Sequence, residues 1–448
     1  MESTDRREFL KKATTAGLGL SVAPGHLSTA SGTDVSGTGA PNEKVVVAVM
    51  GVHNRGHALA RTFAHADGAE VAYIADVDDR AARKTVQAVR EIQERTPQGV
   101  TDFRRVLEDG AVDALVIAAP DHWHAPAAIL ALKAGKHVYI EKPCSHNPRE
   151  GELLVEAKNR YDRVVQMGAQ RPSWPKVQEA LDLLKSGKIG RVQHARCWYR
   201  RNRGPIGAGQ KKAVPAWLDW ELWQGPAPRK PFQDRWVHYN WHWFWHWGTG
   251  EAGNNGVHML DLARRGLDAD YPTRVSASSG RNVHDHWQTP DDQMLTFEYE
   301  GGKMVTWEGI SFNGLNTHGT STGVVFQGED GSLLIPAGNA YTLFDEDGQT
   351  VWAASSKWGE AAASLEGTGL MNDLSHVQDF LAAIRTGQRP NSSIEGGHKS
   401  TLMSQLGNIS LRTGRALTCD PANGHIEGDD EAMRLWSRTY ASGWAPTV

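Results

Sequence analysis

Residues 44–50 read KVVVAVM, a Val-rich apolar run suited to a parallel strand buried on both faces. The run leads straight into Gly51-Val52-His53-Asn54-Arg55-Gly56, and a helical segment follows to about Ala66. Residues 70–75 (EVAYIA) form a second apolar run that ends in Asp76. A strand, a glycine turn, a helix and a second strand closing on an acid make a dinucleotide-binding βαβ unit. The glycines let backbone N–H groups approach a pyrophosphate, and the helix N-terminus favours its negative charge. The acid accepts hydrogen bonds from the adenosine ribose hydroxyls. Gly51, His53, Asn54, Arg55, Gly56 and Asp76 are therefore the expected cofactor contacts. His53 departs from the G-x-G-x-x-G pattern, standing where the second glycine brings backbone closest to phosphate; Asn54 or Arg55 offers another phosphate contact. Asp76 would repel a 2′-phosphate, which favours NAD, and Arg80 nearby leaves NADP as the lesser alternative.

The alternation continues through helical segments at 102–108, 126–134 and 151–160 and strands at 114–118, 136–140 and 164–167. This is a doubly wound parallel sheet over residues 43–167. From 168 to 448 the pattern changes. Runs at 275–280, 292–299, 303–309, 323–328 and 332–336 alternate or run apolar between Gly and Asp turns, and read as a large open, mostly antiparallel sheet. Segments 373–385 and 397–412 read as amphipathic helices. The expected fold is α/β, with an N-terminal Rossmann domain and a C-terminal α+β domain for substrate and oligomer contacts.

Composition narrows the function. With 48 Lys+Arg against 52 Asp+Glu, the net charge of −4 argues against a nucleic-acid partner. Three scattered cysteines, Cys144, Cys197 and Cys419, cannot build a disulfide framework or a zinc ribbon. Residues 1–30 carry Arg6-Arg7, then Phe9-Leu10-Lys11-Lys12, a mild apolar run from 13 to 23 and small residues at 28–30. This order resembles a twin-arginine (Tat) signal peptide, followed at 31–42 by a Gly/Ser/Thr-rich linker. The resemblance implies export of a folded protein by the Tat translocase, with its cofactor loaded, to the periplasm or an equivalent exported location. No later stretch is apolar enough to span a membrane.

Two strand ends carry the chemistry. One reads Ala119-Pro120-Asp121-His122-Trp123-His124 and the other Glu141-Lys142-Pro143. A Rossmann unit followed by Glu-Lys-Pro at this spacing resembles the Gfo/Idh/MocA family of sugar and inositol oxidoreductases. By that resemblance Lys142 is catalytic, its ammonium lowering the pKa of the reacting hydroxyl or polarising the carbonyl in reverse. The Lys142–Pro143 peptide is expected to be cis. Asn254-Asn255-Gly256-Val257-His258 aligns with the family's Asp-x-Gly-x-His pattern, which makes His258 the catalytic histidine that takes the hydroxyl proton. Asn254 replaces the acid. It can bind a sugar hydroxyl but cannot act as a carboxylate base or raise the pKa of the histidine. Ala119, Pro120, His122, His124, Glu141, Lys142, Gln170 and Arg171 are the remaining expected cofactor contacts. Asn254, Trp174, Trp241 and Trp245 are the expected substrate contacts. His238, His242 and His246 recur at a spacing of four, but no metal site is expected, because aromatics surround them and no glutamate stands at the zincin position.

The resemblance implies an exported NAD(P)-dependent oxidoreductase acting on a sugar or glycoside, as a homo-oligomer joined through the C-terminal sheet. Free NAD is expected to be scarce outside the cytoplasm, so the cofactor is expected to be tightly bound and turnover redox-neutral. One alternative is an NAD-dependent glycosidase working by transient oxidation, elimination and re-reduction. Another is a non-catalytic sugar or dinucleotide sensor, which would have no need to keep both Lys142 and His258. The 17 tryptophans outnumber 9 Tyr and 10 Phe, and nine of them lie between residues 198 and 247. About half are expected in the inter-domain core or an oligomer contact, and some in a stacking wall for sugar rings just before His258.

Overall fold

The computed structural model describes residues 44–282, 286–355 and 371–448. The signal and linker expected over 1–42 lie outside the described residues. Six parallel strands form the first sheet: β1 (Val45–Met50), β2 (Ala69–Ala75), β3 (Gln98–Val100), β4 (Ala114–Ile117), β5 (His137–Ile140) and β6 (Val165–Met167). Their order, β3-β2-β1-β4-β5-β6, is that of a Rossmann fold. Helices α1 (Arg55–His65), α2 (Asp79–Arg90), α3 (Arg104–Leu107), α4 (His124–Lys133) and α5 (Pro148–Tyr161) complete the crossovers. Local chemistry sets their starts. The Asp78 side chain accepts from Arg80 N at the head of α2, and Asn147 accepts from Glu150 N beside Pro148 at the head of α5. β1 and β4 are fully covered because helices pack on both faces, which is why they read as continuous apolar runs.

The second sheet has eleven strands. β7 (His194–Asn202), β8 (Arg274–Gly280), β9 (Asp292–Glu298), β10 (Met304–Ile310), β12 (Thr322–Gly328), β13 (Gly331–Ile335), β14 (Ala340–Phe344), β15 (Thr350–Ser355), β16 (Leu417–Cys419) and β17 (Ile426–Glu427) run in the order β15-β14-β13-β12-β7-β10-β9-β8-β16-β17, and β11 (Phe312–Asn313) pairs with β7. Only β7 and β10 pair in parallel, so the sheet is mostly antiparallel as expected. One face is covered by α6 (Pro175–Lys185), α8 (Val257–Gly266) and α10 (Ile394–Thr413), packing Leu260, Trp307, Phe326 and Leu406 into the largest core. The helix α9 (Met371–Thr386) returns to the first sheet, where Leu374, Val377, Phe380 and Leu381 join the core beneath α1. The C-terminal part of the chain thus helps hold the cofactor-binding layer.

Between the two sheets a separate aromatic core is built from Leu218, Trp220, Trp223, Phe232, Trp236, Trp241 and Trp247, with the short α7 (Trp220–Gln224) inside it. Trp220 and Trp223 stack at 4.8 Å, and Trp247 meets Trp223 edge-on at 4.9 Å. Of the nine tryptophans between 198 and 247, seven are buried, more than the half expected. Trp247 is fully buried, and its replacement by alanine is expected to lower stability by about 3–5 kcal/mol, measured as a drop in the denaturant midpoint.

Candidate active site

The cofactor cradle follows from the glycines. Gly51 adopts φ +80°, and a Cβ there would stand 2.7 Å from the Ala119 backbone; at Gly56 a Cβ would stand 1.9 Å from the Gly51 carbonyl oxygen. Only glycine lets the turn fold back against β4 at both points. The head of α1 has no side-chain cap and no acidic residue in its first turn, which leaves its N–H groups and positive dipole end for an anion. Asp76, at the end of β2, accepts from Val52 N at 2.5 Å and from Asp78 N at 2.8 Å. Burial outweighs these bonds and pushes its carboxyl up to about 6. The His53 imidazole stacks on His238 at 4.1 Å. This pairing gives the side chain at the non-glycine position a place of its own, and the cradle fits a dinucleotide. The same cleft continues past Ala119, Pro120 and His124 to Glu141, Lys142, Trp241 and Asn254.

Lys142 leaves β5 through a cis peptide to Pro143, as expected. Its Nζ donates to the Asn254 carbonyl oxygen at 2.6 Å and to Asn254 Oδ1 at 3.0 Å. Burial lowers the pKa of its ammonium, against the attraction of Glu141 and Asp121. Asn254 lies in a π-helical turn, Ala252–Gly256, that runs directly into α8. His258 follows one turn later. Its Nδ1 is buried with no protein partner, and burial followed by the positive charges of Lys142, Arg171 and Arg55 holds its pKa well below 6.5. A neutral imidazole with an unused ring nitrogen has the chemistry of a proton acceptor, but here that nitrogen is closed off from the cleft. The side chains lining the cleft include Lys142 and Asn254 but stop short of His258.

Several expected residues serve the frame. Arg55 donates to Glu141 Oε1 at 2.6 Å and grips Asp373 with two bonds of 2.5 and 2.9 Å, which keeps it charged and ties the glycine turn to β5 and α9. His124 bridges the strand ends, with Nδ1 2.6 Å from the Pro143 carbonyl oxygen and Nε2 2.8 Å from that of Ala119. His122 lies outside the cleft lining, fully buried between Trp223 and Trp247, and burial pushes its pKa down to about 3. Gln170 donates to Asp373, Arg171 to the carbonyls of Pro336 and Ala337, and Trp174 is buried at the head of α6; none of the three lines the cleft. Trp245 faces a different cavity. His238, His242 and His246 meet Asp78, the Tyr239 carbonyl and the Pro228 carbonyl in turn, and among the described residues no group of three or more His, Cys, Asp or Glu is placed to hold a metal ion.

Sequence reasoning missed Asp121 and the covering segment. Asp121 is buried in the cleft wall, accepts from Thr249 Oγ1 at 2.6 Å, and has its pKa raised by burial. Its place after β4, between Pro120 and His124, was the available signal. Residues 217–238 lie over the Asp76 end of the cleft. Trp217 O accepts from Asp79 N, Asp219 N donates to Val77 O, His238 Nε2 sits 2.8 Å from Asp78 Oδ2, and the Arg80 guanidinium lies 3.4 Å over the Trp217 ring.

Comparison with known families matches residues 45–169 to the Gfo/Idh/MocA oxidoreductase family, NAD-binding Rossmann fold. Residues 198–334 match the C-terminal alpha/beta domain of the same family. Together the two matches cover more than half of the chain. The chain belongs to the Gfo/Idh/MocA family. Among relatives, a glycosyl hydrolase family 109 protein of Shewanella sp. (strain ANA-3) is 28% identical over 324 residues, covering 68% of this chain and 66% of the relative. An alpha-N-acetylgalactosaminidase of Shewanella oneidensis is 28% identical over 216 residues, 44% of this chain and 46% of the relative. The aligned chain thus spans slightly less than two thirds, and under half, of these curated relatives. In fold, the Gfo/Idh/MocA chain is similar to a levoglucosan dehydrogenase solved with NADH and levoglucosan, at TM-score 0.65 and 19% identity, covering 84% of this chain and 99% of that one. It is also similar to an aldose-aldose oxidoreductase from Caulobacter crescentus, at TM-score 0.62 and 18% identity, covering 84% and 100%.

With the Asp76 carboxylate as the expected ribose acceptor and its pKa pushed up to about 6 by burial, NAD affinity is expected to weaken as pH falls through about 6, approaching tenfold per pH unit below it. Asp76→Asn should bind NAD more weakly at pH 7.5 and lose this pH dependence, as measured by calorimetric titration.

Proposed function

We propose that this Gfo/Idh/MocA chain is an NAD-dependent oxidoreductase that acts on a hydroxyl of a sugar or glycoside and keeps its cofactor bound through turnover. The observation that carries the reading is the Lys142 ammonium, held on Asn254 beside the unpartnered, neutral imidazole of His258, at the end of a dinucleotide cradle. Bound NAD supplies the hydride acceptor. Lys142 then hydrogen-bonds the reacting oxygen and stabilises the charge that grows on it, and the family pattern assigns the hydroxyl proton to His258. Asn254 positions the lysine. With no carboxylate four residues before it, His258 stays neutral. Trp241 lines the cleft and offers apolar surface for a pyranose ring.

Two features support retention of the cofactor. Residues 217–238 cover the adenosine end through backbone bonds to the β2–α2 loop and the Asp78–His238 pair. The Arg6-Arg7 leader supports export by the Tat translocase, into a compartment where a dissociated cofactor would not be replaced. A second reading, an NAD-dependent glycosidase, is favoured by the names of the glycosyl hydrolase relatives. In that case oxidation makes a ketone next to a C–H, the acidified proton leaves, the aglycone is eliminated, water adds, and the same hydride returns.

Purified protein is expected to release close to one equivalent of NAD on denaturation. It should also turn over members of a p-nitrophenyl glycoside and free-sugar panel with no cofactor added. Nitrophenol release selects the glycosidase, and a ketosugar with no nitrophenol selects the oxidoreductase. Activity that appears only on adding NAD to a cofactor-free protein would sink the retained-cofactor reading.

A further inference from the structure

Behind the wall of the cofactor cleft lies a second cavity of about 440 Å³. Thr249 separates the two: it lines this cavity, and its hydroxyl donates to Asp121 on the cofactor side. The cavity has an unusual charge pattern. Lys230, Arg412 and Arg438 all line it, and among the described residues none of its lining side chains is an Asp or Glu. Arg438 donates to His146 Nδ1 and to the His246 carbonyl, and the buried Glu150 carboxyl, which does not line the cavity, attracts its charge. Arg412, near the end of α10, lies 5.2 Å over the ring of Trp245. Burial and the proximity of Arg438 hold the ammonium of Lys230 below its usual pKa, a repulsion that a bound anion would relieve. The rest of the lining suits a polyol. Gln405 is 4% exposed, and its Oε1 is buried with no partner while its Nε2 is committed to Ser145. Gln288, Ser437 and Thr439 add polar side chains to the same lining. Three cations and an indole lining one cavity make a site for a ring that carries an anion.

We propose that this cavity binds an anionic saccharide, with its carboxylate or sulfate ester among Lys230, Arg412 and Arg438 and its ring against Trp245, at a site distinct from the cofactor cleft. The inference rests on this cavity alone and stands whether the cofactor cleft houses a dehydrogenase or a glycosidase.

The test is calorimetric titration of the full-length holoenzyme with glucuronate, glucose 6-sulfate, glucose and sodium sulfate at matched ionic strength. At least one of the two acidic sugars is expected to bind, and which one binds identifies the anion. Glucose and sodium sulfate should each bind at least about tenfold more weakly, the worth of a single charge-assisted hydrogen bond. Arg412→Ala and Lys230→Met should each weaken the acidic sugar about tenfold or more, Arg412→Lys should keep most of the affinity, and Lys142→Ala should leave it unchanged. If Arg412→Ala fails to fold, Lys230→Met and Arg412→Lys still decide the matter. Binding of neither acidic sugar overturns the proposal. So does equal affinity for glucose, a match by sodium sulfate (an adventitious ion only), or loss of binding in Lys142→Ala with none in the Lys230 and Arg412 variants.

Discussion

The hydrogen bond from Lys142 to Asn254 is the contact on which the site depends. A buried ammonium without acceptors would be costly, and the two oxygens of Asn254 satisfy it while fixing where it points. Both ends are held from elsewhere. On the Rossmann side, Glu141 is locked by Arg55, which also grips Asp373, and the Pro143 carbonyl is held by His124. On the other side, the π-turn at Ala252–Gly256 sets Asn254 just ahead of α8, with Gly256 against the Trp307 ring where a Cβ would come within 2.9 Å. The lysine therefore ties the end of β5 to the turn that opens α8.

The aromatic segment serves a different purpose. It fills the space between the sheets with stacked indoles and lays backbone over the adenosine end of the cleft. The tryptophan excess is thus chiefly a core, and among the described residues only Trp123, Trp223 and Trp241 reach the cofactor cleft. Burying so much aromatic surface beside the cofactor gives a dry, low-dielectric site. In such surroundings the charge of Lys142 acts strongly on a reacting oxygen.

The parts of the molecule legible in the sequence are those governed by local rules. The βαβ unit and the mostly antiparallel second sheet follow from short motifs and strand patterning, while the cis Lys142–Pro143 bond is implied by the family resemblance. The roles of Arg55, His122, Gln170 and Arg171 do not, because each is decided by partners 86 to 318 residues away or by burial that periodicity cannot reveal. The short strands β3, β11, β16 and β17 carry too few residues for an alternation to register, and β15 is almost wholly exposed, with Val351 and Trp352 facing outward. Trp245 illustrates the remaining gap. Its neighbours in sequence marked it as a sugar contact, but which cavity it faces is set by the packing of α10 and Arg438.

The most direct test of the account is a single-turnover measurement. Holoenzyme as purified is mixed rapidly with the substrate found in the sugar panel, and reduced-nicotinamide absorbance is followed in the wild type and in Lys142→Ala at matched bound NAD. The account predicts formation of reduced cofactor in the wild type with none added, and a rate roughly 10²–10⁴ lower in the variant. Equal rates in the two proteins would contradict it.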